Sequence, residues 1–228
     1  LIALLPLILI TLAALAAALA GLPAVRGRLS TDRLGLVLAL APLAGFLLYA
    51  VQIPAINTGE FITWSWLWLP SLDLSLSFYI DRLAMLFALI VTFIGILVTV
   101  YAGQYFKKDA GSWRFFAYLL LFMVMMLGLV TAGDVLTLFI FWEGTSILSF
   151  LLVAYKTKSE EARQGAFRAL LITGGGGIAL LGGLLFVSQA AGGTDWQTIL
   201  TSGDLLRAHP YYLAMLGLIA FGAFTKSA

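Results

Sequence analysis

Glu143 and Lys226 stand where ionisable side chains are rare. Glu143 lies in "FWEGTSIL", within an apolar run from Val135 to about Tyr155, and Lys226 lies in "LIAFGAFTKSA", within another that begins near Tyr211. A charge at the centre of a hydrocarbon layer costs roughly 2.5–3.5 kcal/mol on insertion scales, so such residues face a bundle interior and mark ion pathways and proton relays. A carboxylate and an ammonium placed together offer acid–base chemistry. Burial favours the neutral form of each, whereas the opposite charge favours the ionised forms. A pair balanced in this way takes up or releases a proton when a third charge approaches, and its titration belongs to the pair. The competing reading is an ion pair that only holds two helices together. A buried pair often stabilises less than an apolar substitute would, so transport is preferred.

Depth is consistent with a meeting. At about 1.5 Å per residue, Glu143 lies roughly 13 Å from Asp134 and Lys226 roughly 22 Å from Tyr211, a difference of about 9 Å along the normal. A lysine stem, helix tilt or a water closes a gap of that size. Ser146 follows Glu143 by three residues and Ser149 continues in the same direction, while Gly144 leaves room for a neighbour. Gly222 and Ala223 give Lys226 a small-residue face.

The elements that must carry these residues follow from composition. Of 228 residues, 62% are hydrophobic and 11% charged, far from the roughly 45–50% and 25% of soluble domains. The chain reads as an all-α polytopic membrane protein. The absence of cysteine excludes disulfides, thiolate metal centres and cysteine-ligated iron–sulfur clusters within it. The chain starts at Leu1 rather than Met and stops within an apolar run. Both ends therefore read as cut, and the segment as the N-terminal part of a larger membrane protein. The first apolar run lacks a basic leader and exceeds the roughly 7–15 residues of a signal core, so it reads as a span.

Runs of about 20 residues are needed to cross a layer of roughly 30 Å. Seven are expected, at 1–22, 34–54, 83–102, 115–132, 135–155, 169–191 and 211–228. The first, third and fifth loops hold Arg26, Arg28, Arg33, Lys107, Lys108, Arg114, Lys156, Lys158, Arg163 and Arg168, against Arg82 and Arg207 in the others. Basic loops stay cytoplasmic, which puts the amino terminus outside. The regions are divided as 1–73, N-terminal helices and outer loop; 74–125, the region of the third span and the start of the fourth; and 126–228, the core that holds Glu143 and Lys226 and stops within the seventh span.

In the second loop, Ile62, Trp64, Trp66 and Trp68 alternate with polar residues, as do Leu72, Leu74, Leu76 and Phe78 after a Pro-Ser break. Period two suggests a β-hairpin on the outer face, its tryptophans at headgroup level rather than on a ligand. The run "ITGGGGIALLGG" lacks the Gly-Lys-Ser/Thr ending of a phosphate loop, and its glycines read as helix-packing positions. Asp81 and Asp134 read as helix caps, with an Asp81–Arg82 ion pair as the alternative for the former. Arg163 and Arg168 read as cytoplasmic charges and His209 as a solvated interfacial residue.

Three stretches, "GDVLTLFIFWEGTSILSFLLVAY", "EEARQGAFRALLITGGGGIALLGG" and "LIAFGAFTKSA", resemble the antiporter-like membrane proteins shared by respiratory complex I and Mrp-type cation/proton antiporters, with the wording most similar to the Mrp A-subunit group. The resemblance covers most of the chain from about Leu74 onward, including "YIDRLAMLFALIVTFIGILVTVYAGQYF". It implies that Glu143 on the fifth span and Lys226 on the seventh form a proton-handling ion pair near mid-membrane. The family motif usually reads Trp-Glu-Leu-Thr-Ser, and Gly144 replaces the leucine here. The family's further lysine or histidine residues and broken eighth span lie beyond this segment, so the segment alone is not expected to complete a proton path.

The resemblance implies a component of a bacterial plasma-membrane antiporter exchanging Na+ or K+ for H+, with other subunits of a hetero-oligomeric complex and the lipid bilayer as partners. No cofactor, metal or nucleic acid is expected, and the role is a secondary transporter's rather than an enzyme's. The alternative is a proton-pumping subunit of complex I or a membrane-bound hydrogenase. A helical scaffold without transport is a third reading.

Overall fold

The computed structural model describes residues 4–22, 30–69, 74–107, 109, 111–155 and 159–227. They form two compact units, Leu1–Trp64 with Tyr79–Thr131, and Ser65–Phe78 with Ala132–Ala228.

In the first unit the apolar runs become helices α1 (Leu5–Leu19), α2 (Thr31–Ala50), the short α3 (Ile53–Asn57), α4 (Arg82–Tyr105) and α5 (Ser112–Val130). Helix α1 packs on α2 and α5, α2 on α4, and α4 on α5. Helices α2 and α4 touch backbone to backbone. A Cβ on Gly35 would sit 2.9 Å from the Gly103 Cα and 3.1 Å from the Thr99 carbonyl, so only glycine permits the approach. The buried hydroxyls of Thr92 and Thr99 donate to the carbonyls of Ala88 and Gly95, each at 2.7 Å. Bonding within their own helix satisfies them without a partner. Asp81 caps α4, accepting from the Ala84 N–H at 2.8 Å. Arg82 turns instead to the carbonyl of Asn57 at 3.1 Å.

The second unit holds α6 (Val135–Val153), α7 (Glu160–Ala191), α8 (Trp196–Thr201), α9 (Gly203–Arg207) and α10 (Tyr212–Lys226). Helix α7 packs against both α6 and α10. Val135, Leu180, Leu184 and Ile199 form a buried cluster, with Leu138, Trp142, Val187 and Ile219 packed on it. Between α7 and α8, Gly192 takes φ 80° and ends α7, a left-handed cap that glycine adopts without Cβ strain. Asp195 caps α8 through the Thr198 N–H at 2.9 Å. Hydrogen bonding by Thr198, side chain first, holds the Asp195 carboxyl below the ordinary carboxylate range.

The hairpin is present as β1 (Ile62–Leu69) paired with β2 (Leu74–Ile80). Residues 62–64 and 79–80 belong to the first unit, and 65–69 and 74–78 to the second. Phe78 and Ile80 are buried, while Trp66 and Trp68 are about half exposed, at 55% and 52%. Leu72 and the Pro-Ser break lie outside the described residues, as do Arg26, Arg28, Lys108, Lys156 and Lys158.

Each expected span corresponds to a helix; among the described residues five helices are long and apolar enough to cross a membrane, and α1 and α10 are shorter apolar helices. The chain is an all-α multi-pass membrane protein with one small hairpin. The largest departure is α7, which begins at Glu160 rather than near 169. Ser159 caps it through the Ala162 N–H at 3.2 Å, and Glu160 and Glu161 occupy its first turn. Cap and acidic first turn start a helix in residues too polar to belong to an apolar run. Its 32 residues span about 48 Å, more than the hydrocarbon core requires. Arg163 pairs there with Glu160, and Arg168 is exposed.

Candidate functional site

The site is built on α6, α7 and α10, all in the second unit. Helix α6 is fixed at its start by Asp134, which is 4% exposed. One Asp134 oxygen accepts from the Thr137 N–H at 2.8 Å. The other accepts from the Thr137 hydroxyl at 2.6 Å, the Ser77 N–H at 3.2 Å and the Ser77 hydroxyl. The capping role expected of Asp134 is present, and the same carboxylate also ties β2 to α6. The Ser77 carbonyl accepts from the Gly133 N–H at 2.8 Å, and the Ala132 carbonyl accepts from the Trp196 indole N–H at 2.8 Å. The turn before α6 is therefore held from two sides.

Nine residues beyond Asp134, Glu143 directs its side chain at α7. A Cβ on Gly177 would overlap the Glu143 Oε1 and lie 3.0 Å from its Cδ. That oxygen is buried and has no hydrogen-bond partner among the described residues, and the same is true of the Trp142 indole N–H.

Lys226 reaches α6 from α10. Its ammonium donates to the Ser146 hydroxyl at 2.6 Å and to the Trp142 carbonyl at 3.2 Å, and lies 5.2 Å from the centre of the Trp142 ring. The Trp142 carbonyl also accepts from Thr145 at 2.7 Å and Ser146 at 3.3 Å. Ser146 thus accepts from the ammonium while donating to the same carbonyl, a short relay that a hydroxyl with one proton and two lone pairs permits. The structure sets the Lys226 ammonium on Ser146, three residues and so about one helical turn beyond Glu143. It does not join Glu143 and Lys226 in an ion pair within 4 Å.

A cavity of about 370 Å³ opens beside the ammonium, lined by Ser146, Ser149, Thr173, Thr225 and Lys226, with Phe150 among its apolar walls. Hydroxyls from three helices face one cationic group in a space that holds several waters. Ser146 and Ser149 were legible as a polar line. Thr173 and Thr225 were not, because a threonine inside an apolar run usually bonds its own helix, as both do here at 2.9 and 2.7 Å.

The small-residue face expected before Lys226 is occupied by a helix. Gly222 is buried, and a Cβ there would lie 2.7 Å from the Gly176 carbonyl and 2.6 Å from the Leu180 Cβ. Gly183 likewise faces Ile219. The glycine run therefore has packing positions at Gly176, Gly177 and Gly183, whereas Gly174, Gly175 and Gly182 meet nothing within 4 Å. His209 is half-buried and accepts from the Tyr211 N–H at 3.3 Å.

Such an arrangement, apolar helices of which three bring a carboxylate, an ammonium and several hydroxyls together, defines a class of membrane protein before it defines a particular one. Residues 132–228 match the family described as "NADH:quinone oxidoreductase/Mrp antiporter, TM", and residues 66–116 the one described as "NADH-Ubiquinone oxidoreductase (complex I), chain 5 N-terminus". A probable K(+)/H(+) antiporter protein of Rhizobium meliloti, named as the A/B subunit, is 42% identical over 183 residues, 80% of this chain and 18% of its own length. A putative antiporter protein, mnhA2, of Staphylococcus haemolyticus is 37% identical over 195 residues, 85% of this chain and 24% of its own. Among solved structures, a chain of the Mrp complex from Dietzia sp. DQ12-45-1b superposes with a TM-score of 0.80 at 31% identity, over 97% of this chain and 24% of that one. The membrane-bound sulfane sulfur reductase, an archaeal respiratory complex, shares the fold with a TM-score of 0.73 at 22% identity. Residues 132–228 thus carry the transmembrane segment of the NADH:quinone oxidoreductase/Mrp antiporter family, and the chain spans 18% to 24% of the length of these curated relatives.

Proposed function

We propose that the chain is part of a multi-subunit cation/proton antiporter that exchanges Na+ or K+ for H+ across a bacterial plasma membrane, with its amino terminus outside. Glu143 and Lys226 carry the proton-handling step. The observation that best supports this reading is the Lys226 ammonium, which crosses from α10 to α6 and rests on Ser146, one helical turn from a buried carboxylate oxygen that has no partner among the described residues. Groups held this close without a direct bond respond to each other's protonation. A structural pair would instead be expected in contact, because an unpaired buried charge is costly. The relatives support the cation side, one being named as part of a probable K(+)/H(+) antiporter.

The second reading, a redox-driven proton pump, is favoured by one observation: both matched family descriptions name a quinone oxidoreductase. Inverted vesicles carrying the full complex separate the two. A pulse of NaCl or KCl with no reductant present releases a preformed proton gradient if the chain serves an antiporter. Proton uptake that requires a reduced substrate and ignores the cation pulse would transfer it to the redox class.

A further inference from the structure

Helix α7 carries six glycines between residues 174 and 183, and only some of them are needed for helix packing. Gly176 faces the Thr225 side chain and Gly183 faces Ile219, both on α10. Gly177 differs. What a side chain there would meet is not α10 but the carboxylate of Glu143 on α6: Oε1 in overlap, Cδ at 3.0 Å, and the Trp142 ring edge at an ordinary 3.6 Å. The missing Cβ makes a notch in α7, and the oxygen in that notch is buried with no hydrogen-bond donor among the described residues. Meanwhile Lys226 is held by Ser146 and the Trp142 carbonyl.

We propose that Gly177 is a positioning residue for the proton-handling step: its notch seats the Glu143 carboxylate against α7, out of contact with Lys226, in the state from which proton exchange begins. The inference rests on the role proposed above for Glu143. From α10 the titratable group facing Glu143 is Lys226. From α7 there is none, because no ionisable residue occurs between Arg168 and the end of the helix at Ala191. On α6 itself the other ionisable group is its cap, Asp134. Filling the notch therefore changes the relation of Glu143 to one charge, that of Lys226.

The test compares Gly177→Ala with Gly174→Ala in the full complex. Both raise helix propensity equally, but Gly174 has nothing within 4 Å. Gly177→Ala is expected to move the pH midpoint of cation-driven proton exchange by about one unit, with Gly174→Ala at the wild-type midpoint. Thermal unfolding supplies a second readout. Gly177→Ala is expected to lower the Tm beside Glu143 but not in a Glu143→Ala background, where the colliding side chain is gone. Failure of Gly177→Ala to assemble, with assembly restored by adding Glu143→Ala, supports the notch equally. A wild-type pH midpoint in Gly177→Ala, or the same Tm loss in both backgrounds, overturns the inference and leaves the antiporter reading standing. Full exchange in Glu143→Gln overturns that reading and the positioning role with it.

Discussion

Lys226 is seated by groups of unequal visibility. Ser146 could be anticipated from its spacing to Glu143. The Trp142 carbonyl could not, because a main-chain oxygen has no letter in the sequence, and it becomes available only where α10 meets α6. The ammonium, its hydroxyl acceptor and this carbonyl form the one charged hydrogen-bonded contact between the two helices among the described residues. A hydrogen bond to a charged group contributes about 1.5–3 kcal/mol, so Ser146→Ala should free Lys226 to fall back on Glu143. The expected outcome is an assembled complex whose exchange rate drops about tenfold or more, measured by cation-induced proton movement in inverted vesicles. Ser146→Thr, which keeps the hydroxyl, should retain most of the rate. The same blindness applied to Glu143. Its insertion cost singled it out as a candidate, but the notch at Gly177 depends on the rotational register of α7 against α6, which one run of four glycines leaves open.

At the scale of the element, α6 is held by its first residue. The Asp134 carboxylate is buried without a cation and receives four hydrogen bonds from Ser77 and Thr137. Asp134→Ala removes the cap and strands the hydroxyls of Ser77 and Thr137, while the Ser77 N–H keeps the Thr137 oxygen at 2.9 Å; the cap and the unsatisfied groups together cost about 2–4 kcal/mol. The purified complex should unfold several degrees lower, and Asp134→Asn, which keeps part of the acceptor capacity, should fall between the two. The capping aspartates were readable because an acidic residue before an apolar run is a helix start signal. The link from Asp134 to Ser77 was not readable, since it joins residues 57 apart in sequence. The polar opening of α7 was missed for the opposite reason: hydropathy finds where a helix enters lipid, whereas Ser159 and the acidic first turn decide where it begins.

For the whole molecule, helices α1, α2, α4, α5, α6, α7 and α10 were legible because burial in lipid requires long apolar runs, and seven such runs are present in the sequence. Orientation rests on the basic residues of the first, third and fifth loops. These 228 residues hold no cysteine, so single cysteines placed at the exposed Thr58 and Gln164, each compared with the unsubstituted protein, report sidedness. With the amino terminus outside, Thr58→Cys should react with a membrane-impermeant maleimide in right-side-out vesicles and Gln164→Cys in inverted ones. The reverse pattern would turn the assignment over. Function is less legible than fold, since the chain spans 18% to 24% of the curated relatives it matches, and a transport path needs groups from the whole assembly. The central claim nevertheless falls on two residues here, Glu143 and Lys226, acting as one unit. It is tested most directly by cation-driven proton exchange in inverted vesicles of the full complex, comparing wild type, Glu143→Gln, Lys226→Met and the double variant at matched assembly. The account predicts that each single change removes most of the exchange and that the double variant is no worse than either. Exchange at the wild-type level in assembled Glu143→Gln would contradict it.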